Sequence, residues 1–383
     1  MERRCVKLAH IVTDDAPFLS ATVRGLPVFA GVPTADSLAR EGSFAQPVLL
    51  HLNECPYPPS PRVVEAIGRS AAGANRYAEP RPDALAAALA VKTGVSAANI
   101  VLGNGSDEIL ALVCQMALAP GDSAVMPTPS FPRYRLGTRM MGAEPRLVRN
   151  RDDGRNDVAG LLGAIDRSTR LVFACTPNNP SGAPLPRDEV RALVEGVPDD
   201  VLLVMDEAYY EFDAAEGGEG ALDELRRRRG PWLSTRTMSK AYAIAGLRVG
   251  YGLASSANVA EGLLRVKLNF NLNRLAVAAA QAALADEAYS KQCMAKVIAE
   301  RRRLAAGIEA LGFRTLPSRA NFVSFDYGRN SVPLMSAMAA EGVFVREWRD
   351  PGYETFVRIT VGLPEENDRA LAALARAAAA QRR

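Results

Sequence analysis

The chain has 383 residues, 48% of them apolar and 23% charged, which excludes a disordered chain and suits two or three domain-sized units. With 46 basic and 43 acidic residues the net charge is +3, so nothing global points to nucleic acid as a partner. Two histidines, His10 and His51, are too few for a His-rich metal site, and a Ser–His–Asp hydrolase would have to use one of them.

The five cysteines, Cys5, Cys55, Cys114, Cys175 and Cys293, include no C-x-x-C pair. An odd, scattered set fits a reducing compartment, so a cytoplasmic location is expected. The opening Met1-Glu2-Arg3-Arg4 is not followed by a long apolar stretch, because Thr13-Asp14-Asp15 interrupts it, and a twin-arginine export signal is rejected. No run approaches the length of a membrane span, so no membrane contact is expected.

Residues 1–47 read as an extended arm, broken by Pro17, Pro27, Pro33 and Pro47, with one short helix near Thr34–Arg40 capped by Thr34 or Asp36. Pro61–Gly73 and Pro82–Gly94 read as helices with Pro near the start and Gly past the end. Strands are then predicted at Ile100–Leu102, Ser123–Met126, Pro145–Val148, Arg170–Cys175, Val201–Asp206, Trp232–Thr237 and Val249–Leu253. Helices are predicted between them at Ser106–Leu118, Val158–Ile165, Arg187–Glu195 and Ala221–Arg229. The alternation signals βαβ units and a mostly parallel sheet flanked by helices. Helices follow at Ala257–Lys267, Arg274–Asp286 and Glu287–Leu311. The remainder reads as strands Phe313–Leu316 and Asn321–Asp326, helix Pro333–Gly342, strands Val343–Arg346 and Thr355–Thr360, and a final helix from Pro364. The expected fold class is therefore α/β, with a smaller α+β domain. The expected division is an arm, 1–47, joining the small domain, a large domain, 48–270, and a small domain, 271–383.

Only six of the 46 basic residues are lysines, and Lys alone forms imines. Lys240 stands in Thr237-Met238-Ser239-Lys240, after a predicted strand, with Arg248 eight positions on. Hydroxyls and a guanidinium beside an amine suit a phosphate-bearing aldehyde bound to Lys, namely pyridoxal 5'-phosphate. Gly103-Asn104-Gly105-Ser106-Asp107-Glu108 opens a helix after a strand, where backbone N–H groups bind phosphate. It is not a dinucleotide motif, since position 108 is Glu. Asp206-Glu207-Ala208-Tyr209 ends a buried strand, the edge at which open α/β sheets bind ligands, and Thr176-Pro177-Asn178-Asn179 follows another. Taken singly, each of these is also an ordinary turn or helix cap.

In order, Asn75-Arg76-Tyr77, the 103–108 segment, Pro129-Ser130-Phe131, Pro177-Asn178-Asn179-Pro180-Ser181-Gly182, Asp206-Glu207-Ala208-Tyr209, Ser239-Lys240, Gly246-Leu247-Arg248-Val249-Gly250 and Arg358-Ile359-Thr360-Val361-Gly362 resemble the class I/II aminotransferases of pyridoxal-phosphate fold type I. They look most like the histidinol-phosphate aminotransferase branch, and the resemblance runs from about Leu52 to the C-terminus. It implies that Lys240 carries the cofactor and later moves the substrate α-proton, and that Asp206 pairs with the ring nitrogen. It places Tyr209 and Asn179 on the ring hydroxyl and Phe131 on the ring face. Ser106, Asp107, Ser239 and Arg248 hold the phosphate, helped by Tyr77 across the subunit boundary of a homodimer. The resemblance implies that Arg358 binds a substrate acid group and Arg346 a second anion; a surface ion pair of Arg346 with Glu347 or Asp350 is the alternative. The substrates implied are an amino acid or amino phosphate and a 2-oxo acid. The chain departs from the family pattern at Asn53-Glu54-Cys55-Pro56, where Asn is usual at the third position, and at Phe131, where Tyr is usual. An aromatic amino-acid donor, a lyase or decarboxylase on the same scaffold, and a binding module with a degenerate site remain open alternatives. The intact Lys240, Asp206 and Arg248 set speaks against the last.

Overall fold

The computed structural model describes residues 18–27, 31–41, 44 and 46–380; His10 and the other residues before Phe18 lie outside them. The predicted arm helix is found at Ala35–Glu41, capped by Thr34, whose Oγ1 accepts from the Ser37 N–H at 3.2 Å. A short strand, β1 (Val48–Leu49), follows, then helices Pro61–Ala71 and Asp83–Thr93.

The centre is a seven-stranded sheet made from β2 (Ile100–Asn104), β3 (Ser123–Thr128), β4 (Glu144–Arg149), β5 (Thr169–Cys175), β6 (Leu202–Asp206), β7 (Trp232–Thr237) and β8 (Val249–Ala254). The spatial order is β2-β8-β7-β6-β5-β3-β4. Only β8 runs against its neighbours, β2 and β7; the other pairings are parallel. β6 and β7 are buried along their whole length, and β6 is the near-continuous apolar run that cover by helices on both faces requires. Helices Gly105–Ala117 and Ala257–Val266 pack on one side, and Pro61–Ala71, Asp83–Thr93 and Arg274–Ala285 on the other.

After the 24-residue helix Glu287–Ala310, a second sheet forms from β9 (Arg314–Thr315), β10 (Phe322–Asp326), β12 (Arg346–Glu347) and β13 (Phe356–Thr360), in the order β12-β13-β10-β9 and antiparallel throughout. Helices Glu287–Ala310 and Val332–Ala340 pack on it, and Pro364–Ala380 packs on those two helices. β11 (Val343–Phe344) pairs instead with β1, in parallel. The predicted strand Val343–Arg346 is thus two strands that change partners at Val345. The predicted helix Ala221–Arg229 stops at Leu225, because the Arg228 guanidinium turns inward and donates to the carbonyls of Val194, Val197, Pro198, Val201 and Pro231. Three helices escaped the sequence reading, Ala21–Arg24, Arg133–Met140 and Tyr210–Ala214. No described helix is long and apolar enough to cross a membrane.

Candidate active site

Five parallel strands, β2, β3, β5, β6 and β7, end at one edge of the large sheet, and the loops leaving that edge bring the predicted residues together. β8 runs the other way, so its first residues and the preceding Arg248 meet the same edge.

The first component is an anion cradle. Helix Gly105–Ala117 begins without a side-chain cap, so N–H groups of its first turn are left for a ligand. Gly105 has φ +74, and a Cβ there would lie 2.2 Å from Arg248 Nη2. Gly250 passes so close beneath the helix start that a Cβ would sit 2.1 Å from the Ser106 nitrogen. Arg248 itself takes φ +59, a strained value for a non-glycine residue. Its carbonyl accepts from the Gly105 N–H at 2.9 Å, and its Nη1 donates to Ser239 Oγ at 3.3 Å. Ser239 is in turn held by Thr237 Oγ1 at 3.0 Å. Ser106, Ser239 and Arg248 therefore converge as expected. Asp107 differs: its carboxylate forms a two-point ion pair with Arg133 at 2.9 and 2.8 Å, so its side chain is committed and its backbone N–H is what remains for an anion.

The second component is the amine. Lys240 Nζ donates to the Leu52 carbonyl at 3.2 Å, and no carboxylate lies within ion-pair distance among the described residues. Burial, then the positive charges of Arg358 and Arg248, pull its pKa from 10.5 to about 7. That is the condition for an amine to act as nucleophile or base near neutral pH.

The third is a buried carboxylate at the end of β6. Burial pushes the Asp206 pKa up to about 6, against two hydrogen bonds that favour the anion: Tyr134 Oη donates to Oδ2 at 2.6 Å, and the Ala208 N–H to Oδ1 at 3.1 Å. Tyr134 is fixed by stacking on Phe173, 4.8 Å between centroids, and Phe131 stands edge-on to it at 6.0 Å. Tyr209 Oη accepts from Asn53 Nδ2 at 2.8 Å, which leaves its own proton free to donate; burial raises its pKa to about 12. Asn53 reaches this position with φ +55, which Asn tolerates, and is clamped by Thr360 Oγ1 through its N–H and Oδ1 at 2.9 and 3.0 Å.

At the far side, from β12 and β13, lie Arg346 and Arg358, which are directly opposed residues of the strand pair. Arg358 Nη1 donates to Asn179 Oδ1 at 2.5 Å and Nη2 to the His51 carbonyl at 2.8 Å. Its Nε is buried with no partner, and burial lowers its pKa to about 10. The bland alternative for Arg346, an ion pair with Glu347 or Asp350, is not formed: Glu347 pairs with Arg349 at 2.6 Å, and Asp350 accepts from Thr128. Tyr77 stands apart, 78% exposed and stacked on Phe270 at 4.5 Å. His51 makes no serine–histidine pair, since its ring nitrogen meets the Pro33 carbonyl instead, so the hydrolase reading fails. Tyr134, Asn53, Thr360 and the Leu52 carbonyl were not anticipated from sequence. The unusual Asn53-Glu54-Cys55-Pro56 was a signal for one of them.

An uncapped helix start with glycines that leave room, an arginine, an amine held near neutrality and a buried carboxylate fit a pyridoxal 5'-phosphate site, and the fold is that of the fold type I enzymes. Residues 45–374 match the family of class I and II aminotransferases, and the chain belongs to that family. It is 43% identical over 360 residues to histidinol-phosphate aminotransferase 2 of Pseudomonas aeruginosa, covering 93% of this chain and 94% of the relative. It is 38% identical over 347 residues to the histidinol-phosphate aminotransferase of Shouchella clausii, covering 90% and 93%. The crystal structure of histidinol-phosphate aminotransferase from Sinorhizobium meliloti in complex with pyridoxal-5'-phosphate superposes with a TM-score of 0.87 at 30% identity, over 95% of this chain and 98% of that one. The protein is thus a pyridoxal-phosphate-dependent aminotransferase similar to the histidinol-phosphate aminotransferases.

Proposed function

We propose that the enzyme transfers an amino group from a phosphorylated amino donor, histidinol phosphate, to 2-oxoglutarate. The observation that carries this reading is the arginine pair. Arg346 and Arg358 lie opposite one another, one half-buried and the other buried, and neither has a carboxylate partner among the described residues. Buried cations without counter-charge are costly unless a ligand supplies it, and a guanidinium fork fits phosphate and carboxylate alike.

When bound, the cofactor supplies an electron sink for the substrate α-carbon. Ser106, the Asp107 N–H, Ser239 and Arg248 would hold its phosphate. Asp206, kept anionic by Tyr134, would face the ring nitrogen, with Tyr209 and Asn179 at the ring hydroxyl and Phe131 against the ring face. Lys240, whose amine is half-neutral near pH 7, would carry the cofactor and accept or return the substrate proton at Nζ.

We further assign the arm to 1–47, a large domain to 48–270 and a small domain to 271–383, and a homodimer in which Tyr77 serves the partner's phosphate site. The exposed Tyr77, Leu268 and Phe270, at 78%, 74% and 39%, support an interface there. Four described cysteines are free thiols, which supports a cytoplasmic setting. A donor panel with 2-oxoglutarate, including histidinol phosphate, phenylalanine and tyrosine, tests the substrate. Glutamate formation fastest with histidinol phosphate is expected; preference for an aromatic donor refutes the phosphate reading. Arg358→Ala should raise KM for every acidic substrate, and Arg346→Ala should weaken the phosphorylated donor more than glutamate.

A further inference from the structure

His51 is 3% exposed and joins three parts of the molecule. Its Nε2 lies 2.8 Å from the Pro33 carbonyl. Its own carbonyl accepts from Arg358 Nη2 at 2.8 Å, and the next carbonyl, of Leu52, accepts from Lys240. The backbone around it is fixed: the Leu50 N–H donates to Phe344 O and the Thr360 N–H to Leu50 O, at 2.7 and 2.9 Å. Its ring lies 6.5 Å from that of Phe344.

We propose that His51 is a positioning residue whose Nε2–H pins the Pro33 carbonyl and so holds residues 31–38 against the arginine end of the site. A carbonyl only accepts, so Nε2 must carry the proton. The Nδ1 of a neutral ring is then a bare lone pair, and it is buried with no partner. A second proton would add an unpaired N–H and a third positive charge near Arg346 and Arg358, and burial together with those two arginines does hold the pKa down. One tautomer is thereby fixed, and with it the direction of the tether. The segment it holds has a fixed shape of its own, since Thr34 and Ser37 bond each other reciprocally and Leu38 is buried.

The inference rests on the arginine reading above for its effect on substrate, while the tether itself can be read without substrate. In the holoenzyme, amide exchange of residues 31–38 is compared for wild type, His51→Phe and His51→Gln. Glutamine retains an N–H donor, phenylalanine only the bulk. Exchange in His51→Phe should be about five- to tenfold faster, the factor carried by one lost hydrogen bond, with His51→Gln near wild type. KM for acidic substrates should rise in His51→Phe by a similar factor, with kcat changed less. Wild-type exchange in His51→Phe, or equally fast exchange in His51→Gln, overturns the tether. Arg346→Ala in parallel separates the two claims: unchanged KM there defeats the arginine reading, while the exchange data still decide the tether.

Discussion

Replacing Lys240 by Met should stabilise the protein without cofactor, by an amount that depends on pH in a way only Lys240 can produce. The amine's pKa lies at about 7 in the fold against 10.5 ordinarily, an interval of about 3.5 pH units, or about 5 kcal/mol. Because the folded value is the lower one, the penalty is fully present below pH 7. It is relieved progressively as pH rises from 7 towards 10.5. Methionine keeps the shape, removes the penalty and forfeits the hydrogen bond to Leu52 O, worth ~1 kcal/mol. The expected gain is therefore ~3–4 kcal/mol at pH 7 and below, falling to ~1 kcal/mol at pH 9. Urea unfolding of the two apoproteins at pH 6, 7, 8 and 9 measures the difference directly. A variant no more stable than wild type, or a gain that does not shrink above pH 7, refutes the claim that the fold holds a neutral amine.

Tyr134→Phe removes a hydrogen bond to a buried carboxylate, a contact worth ~1.5–3 kcal/mol. It should lower turnover about ten- to a hundredfold with cofactor still bound, and Asp206→Asn should do so more severely; steady-state kinetics with the cofactor's visible absorbance checks both. Gly105→Ala puts a Cβ onto Arg248 Nη2 at a left-handed backbone position, costing ~1–2 kcal/mol in backbone strain alone. Cofactor affinity, measured by equilibrium titration of the apoprotein, should fall about tenfold or more.

The sheet was legible because its strands are short apolar runs between helical runs. Arg170–Cys175, Val201–Asp206 and Trp232–Thr237 were placed within one residue of β5, β6 and β7. What the local pattern could not carry was decided by distant partners. Arg133–Met140 is rich in arginine and contains Gly137; it is a helix because Tyr134, Gly137 and Thr138 pack inward, and a Cβ on Gly137 would lie 2.8 Å from Cys114 Sγ. Missing that helix meant missing Tyr134 and the Arg133 partner of Asp107. The split of Val343–Glu347 between β1 and β13 is likewise a choice of partner. At the site, the family resemblance singled out Lys240, Asp206, Ser239 and Arg248, which meet at one edge of the large sheet, and Arg358, which faces them from β13. It could not show that Asn53 would reach Tyr209, because that contact spans 156 positions and depends on a left-handed backbone angle.

The central claim is that Lys240 is the amine that carries the cofactor. Reducing the pyridoxal-phosphate-loaded enzyme with borohydride, then digesting it and mapping the peptides by mass, should place a single pyridoxyl group on the peptide containing Thr237–Tyr242, at Lys240. Lys240→Ala should take up no label and show no visible band from bound cofactor. Label on Lys7, Lys92, Lys267, Lys291 or Lys296 instead, or an unchanged band in Lys240→Ala, would contradict the account.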